Sequence, residues 1–123
     1  MKKEEVSSYE KLHIQIKGIY SELGILSKKA PDSAINLFKL KFVNQLLSEA
    51  NLLLGSGYRP FSDFELFNTD DMPSNSDVVL VISQYIKCLE MLKDNNIVWE
   101  LGTCYWNIEK SKDKIETAPP NLT

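Results

Sequence analysis

The chain is 123 residues long, 43% hydrophobic and 25% charged. That is an ordinary globular composition, which argues against disorder and fibrous repeats and suffices for one core without staples. A net charge of −3, from 17 acids and 14 bases, supplies no basic footprint for a phosphate backbone and sets nucleic acid aside as a partner.

From Glu4 to Lys29 the apolar residues Tyr9, Leu12, Ile16, Ile19, Leu23 and Leu26 recur at spacings of three and four, the signature of one helix face. Gly18 and Gly24 lie off that seam and each weakens the helix by about 1 kcal/mol relative to alanine, so packing must hold it. The seam is too short for a dimeric coiled coil, and a bundle helix is the expectation. Ala30-Pro31-Asp32-Ser33 reads as the opening of a second helix, with proline in the first turn and an acid at the positive end of the dipole. This helix should run to about Leu54 and stop at Gly55-Ser56-Gly57. It carries two apolar stripes, one of Ile35, Phe38, Phe42, Leu46 and Leu53, the other of Leu37, Leu40, Leu47, Ala50 and Leu54. So wide an apolar arc predicts a central helix with more than one neighbour.

Residues 55–74 are too many for an ordinary connection. Within them Tyr58, Phe61, Phe64 and Phe67 recur every third residue, which predicts a short helical turn after Pro60 that lays its rings over the open end of the bundle as a lid. Asn75-Ser76-Asp77 then opens a third helix whose seam is Val78, Ile82, Tyr85, Leu89 and Leu92, with Lys93 at its negative end. Beyond it, Ile97, Leu101, Cys104 and Ile108 have helical spacing, but Val98, Trp99, Thr103, Tyr105 and Trp106 are strand formers. Strand is favoured, as a hairpin of Thr103–Ile108 with Lys114–Ala118 around a turn at Glu109–Asp113. The expected fold is therefore mainly α: three long helices, a short helical lid in the 55–74 loop and a small C-terminal β-hairpin. A single helical domain spans 1–118, with a tail at 119–123.

The longest aliphatic run, Val78 to Ile82, is far short of the roughly 20 residues of a membrane span. The charged start Met1-Lys2-Lys3-Glu4-Glu5 does not resemble a secretory leader, so the expectation is a cytoplasmic protein without membrane contact. Cys88 and Cys104 lie in apolar surroundings and read as buried thiols rather than as a disulfide framework. Gly55-Ser56-Gly57 lacks the lysine and the strand-to-helix context of a phosphate loop, and Cys88 has no evident base to activate it. Glu10-Lys11-Leu12-His13 spells the Glu-x-x-His spacing of di-iron bundles, but one copy is not a site, and His13 is expected at a solvent-facing edge. The acids Asp63, Glu65, Asp70, Asp71 and Asp77 lack calcium-loop spacing. No metal or cofactor is expected.

The function expected from these features is a non-enzymatic protein–protein interaction module: a small adaptor, regulator or inhibitor with a protein partner, a homodimer being left open. Its contact surface would be the acidic aromatic loop of Tyr58, Arg59, Phe61, Asp63, Phe64, Glu65, Phe67, Asp70 and Asp71, aromatic anchors with a polar surround being what interfaces favour. Trp99, Tyr105 and Trp106 are candidates to extend it. The alternative is an enzyme or ligand-binding bundle with a polar pocket around Arg59, Asp63 and Glu65. A third class, a nucleic-acid mimic or weak binder, would use the acids or Lys28, Lys29, Lys39 and Lys41, though solvated faces produce such groupings routinely.

Overall fold

The computed structural model describes all 123 residues. The chain runs through α1 (Lys3–Lys29), α2 (Leu37–Tyr58), a 3-10 turn (Thr69–Asp71), α3 (Asn75–Asp94), β1 (Ile97–Glu100) and β2 (Thr103–Trp106). Three helices followed by a hairpin is the architecture the sequence predicts. On α1, Tyr9, Leu12, Ile16 and Leu23 are buried, and Ile19 and Leu26 pack half-buried against the same core. The α1 ends follow dipole chemistry, with Glu4 and Glu5 in the first turn and Lys28 and Lys29 in the last. All five residues of the α3 seam are buried, and α3 packs on both other helices. Its start is capped by Ser74, whose Oγ accepts the Asp77 N–H at 3.2 Å.

The second helix departs from expectation at its start. It begins at Leu37, because Asn36 caps it: the Asn36 Oδ1 accepts the N–H groups of Phe38 at 2.8 Å and Lys39 at 3.3 Å. Pro31 lies in a turn instead, and Ala34 bridges to Ser74 while the Ile35 N–H donates to the Pro73 carbonyl at 2.9 Å. Ile35 is thus buried as a bridging residue, not as part of a helical stripe. Nor is α2 central. Leu40, Val43, Leu46, Leu47, Ala50 and Leu54 face the core, whereas Leu37, Phe38 and Phe42 are exposed. The expected stop at Gly55 appears as a break, where φ of 61° leaves the helical region before one last turn to Tyr58.

The short helical piece of the 55–74 loop is the 3-10 turn at Thr69–Asp71, capped by Asn68, rather than a turn after Pro60. The hairpin forms one strand earlier in the chain than expected, so that 103–106 is its second strand rather than its first. β1 pairs antiparallel with β2 around Leu101-Gly102, with Ile97 opposite Trp106 and Glu100 opposite Thr103. The pairing expected between 103–108 and 114–118 survives as one bridge, Tyr105 to Glu116, flanked by the bonds Trp106 N–H to Ile115 O at 2.9 Å and Thr117 N–H to Cys104 O at 3.0 Å.

The hairpin is fastened to the bundle by Trp106. Its ring is buried edge-on against Tyr9, centroids 5.0 Å apart, beneath the Lys93 ammonium at 5.3 Å. Its Nε1 donates to Glu10 Oε1 at 2.7 Å, and the Thr117 hydroxyl donates to the same oxygen at 2.8 Å. His13, one turn along α1, does not face solvent as expected. It is stacked on Tyr9 with its Nε2 2.6 Å from Glu90 Oε1, while the other Glu90 oxygen accepts the Asn121 N–H at 2.9 Å. The Glu-x-x-His spacing thus puts both side chains on the side of α1 where the C-terminal segment docks.

Candidate functional site

The structure brings the loop aromatics together and turns them inward. Phe61, Phe64 and Phe67 form a run of edge-to-face contacts, with centroids 5.9 and 5.0 Å apart, and with Tyr58 they pack half-buried against the core. Two asparagines of α2 hold the loop in place. Asn44 accepts the Phe67 N–H at 3.0 Å and donates to the Phe67 carbonyl at 2.9 Å, and Asn51 donates to the Glu65 carbonyl at 3.0 Å. Asn51 also accepts the Tyr85 hydroxyl at 2.7 Å. Periodicity cannot reveal such side-chain clamps.

Arg59 is committed to this loop. It donates to the Phe64 carbonyl at 3.0 Å and to Glu65 at 3.4 Å, and its Nε is buried without a partner. The cavity beside it, lined by Ser56, Arg59, Phe61 and Ser62, is about 170 Å³, smaller than the roughly 300 Å³ at which ligand pockets begin. Asp63 and Glu65 are exposed, so neither carboxylate is desolvated in the way a catalytic acid requires. Asp70 and Asp71 are exposed as well, and between and beside these acids Leu66 and Met72 present half their surface to solvent.

None of the groups whose protonation is shifted belongs to the 55–74 loop. Burial, with the charges of Glu90 and Glu10 adding, pushes the Tyr9 hydroxyl well above the usual tyrosine range. Burial raises Tyr85 too, against the opposing pull of its Asn51 bond and of Arg59. Both thiols are free and pushed up by burial, Cys104 against a nearby Lys93 charge; raised thiols are poor nucleophiles. At the surface, the Lys3 bond holds Asp113 below its ordinary value and the Glu100 bond holds Lys114 above its own. No three of the histidine, cysteine, aspartate and glutamate side chains cluster so as to hold a metal ion, and no helix is long and apolar enough to cross a membrane.

The surface that sequence reasoning underweighted is the tip and outer edge of the hairpin. Leu101 is fully exposed and sits at φ 50°, followed by Gly102 at φ 81°. Two successive positive φ values make a mirror-image two-residue turn, a geometry that strongly prefers Asn-Gly or Gly-Gly. Leucine there is a steric outlier with no burial in return. Beside it Trp99 is 57% exposed and Val98 38%. The ladder is also open on one side. In an antiparallel pair alternate residues point their N–H and C=O groups outward. On β2 the outward groups are those of Cys104 and Trp106, which bond Thr117 and Ile115. Their partners Trp99 and Ile97 therefore point theirs away from β2, where neither makes a backbone bond outside the hairpin. The only acid or base on β1 is Glu100, which pairs with Lys114, so the outward-facing positions Ile97 and Trp99 carry no charge that would deter another strand. Of this surface the sequence signalled Trp99 as an aromatic and Gly102 as an interruption; Leu101 carried no turn signal.

Compared with protein-family models, with curated proteins and with solved structures, the chain matches none.

Proposed function

We propose that this chain is a non-enzymatic interaction module that binds an extended segment of a partner protein along the free edge of β1, with Trp99 and Leu101 as its apolar anchors. The observation that carries the reading is a fully exposed leucine held in a left-handed turn next to a largely exposed tryptophan. Backbone strain that brings no packing is a reason to look for function. The chemistry that satisfies unpaired strand-edge groups is another backbone, added as a strand, with side-chain anchors supplying selectivity. Tryptophan is also among the residues that most often dominate interface energetics.

The acidic loop is a second reading, and Met72 favours it. Met72 too is left-handed, at φ 47°, and half-exposed, next to Asp70 and Asp71. A partner with a basic rim would fit there. Affinity capture from the native host separates the two, using the wild-type chain, a Trp99→Ser/Leu101→Asn version and a Leu66→Ser/Met72→Ser version. The hairpin reading expects the companions kept by the loop version to be lost with the hairpin version. Loss only with the loop version transfers the contact to the loop, and identical companions with all three folded versions refute both.

A further inference from the structure

The outward face of α2 is not a random scatter of exposed residues. Phe38, Phe42, Gln45, Glu49 and Leu52 follow one another at intervals of four, three, four and three, the period along which one helix lies against another. This row points away from Leu40, Val43, Leu47, Ala50 and Leu54, which face the core. Phe38 is 82% exposed and Leu52 85%, so the chain leaves both ends of the row at the surface.

We infer that this face is a two-fold interface between two copies of the chain, with the α2 helices antiparallel and crossing at Gln45. The row is self-complementary about that residue. Seven residues, about 10 Å of helix, separate Gln45 from Phe38 on one side and from Leu52 on the other. Two-fold pairing about Gln45 therefore sets Phe38 against Leu52 of the second copy, twice over, as an isologous contact demands. The flanking charges obey the same symmetry: Lys41 and Glu49 lie four residues to either side of Gln45, and neither has an ion partner within its own chain. Antiparallel pairing joins Lys41 to Glu49 at both ends, whereas parallel pairing would set lysine on lysine. The shape agrees as well. A groove of about 340 Å³ between α1 and α2, lined by Ser8, Lys11, Glu49, Leu52 and Leu53, opens where the Phe38 ring of the second copy would arrive. Lys11 in its wall brings a cation within reach of that ring's face.

Neither strand belongs to this face, so dimerisation and hairpin binding stand or fall separately. Analytical ultracentrifugation of the full chain over a concentration series tests the inference. The wild type should rise from 14.1 kDa toward twice that mass. Phe38→Glu should leave a folded monomer whose Tm no longer rises with protein concentration, since the side chain it replaces is in solvent in the single chain. Lys41→Glu or Glu49→Lys alone should weaken association at least about tenfold, a modest effect for like charges at two symmetry-related sites. The double exchange Lys41→Glu/Glu49→Lys should restore it. A monomer at all concentrations, a dimer indifferent to Phe38→Glu, or a double exchange that does not recover would each overturn the proposal.

Discussion

Leu101 holds a left-handed backbone with its side chain wholly in solvent, so replacing it with asparagine removes no buried surface and relieves a steric conflict. For residues other than glycine, asparagine and aspartate that conflict costs about 1–2 kcal/mol, and Asn-Gly is the pair that two-residue hairpins of this geometry favour most. Leu101→Asn should therefore stabilise the chain by about 1 kcal/mol, which in a domain of this size raises Tm by roughly 3–6 °C. Thermal unfolding followed by far-ultraviolet circular dichroism reads the shift, and urea titration with an unchanged m-value confirms that stability moved and not compactness. The same substitution should release companions that depend on the hairpin, since a residue kept at a cost to stability is expected to serve function. A Tm that stays put or falls would show that Leu101 stabilises the native turn, and the strain argument would fail.

Trp106→Ala should be the most destabilising change in the C-terminal half. It empties a fully buried ring site and removes the donor to Glu10, a loss of about 3–5 kcal/mol by denaturant titration. Stability should also fall under alkali. Unfolded tyrosine ionises near pH 10, while Tyr9 and Tyr85 hold their protons to higher pH in the fold. Their contribution is thus complete below about pH 10 and is lost as the pH rises above it. Tyr9→Phe should make that decline shallower, and an unaltered pH profile would show that burial does not protect the Tyr9 proton.

The seams of α1 and α3 are legible because every seam residue packs against the core, so the three-and-four spacing of Tyr9 to Leu26 and of Val78 to Leu92 maps directly onto it. The α2 helix misled for the opposite reason. Its apolar arc is wide because one part packs inside while Phe38 and Phe42 lie outside, and periodicity alone cannot tell a second core face from an exposed one. Its start was misplaced because Pro31 and Asn36 both carry opening chemistry, and the side-chain bonds of Asn36 to two backbone amides decide the contest. The hairpin register was hidden by Leu101, which occupies a position where asparagine or glycine would have announced the turn. For the loop aromatics, intervals of three suggested a helical turn. Asn44 and Asn51 instead pin an irregular backbone, and the same rings cover the core without it.

Amide hydrogen exchange on the chain, alone and with a captured partner, tests the central claim most directly. In the free chain the Trp99 amide should exchange quickly and the Val98 amide, which points into the ladder, slowly. On binding, the account predicts that protection appears at Trp99 and its outward-facing neighbour Ile97. Protection confined to residues 58–72, with the Trp99 amide still exchanging freely, would contradict it.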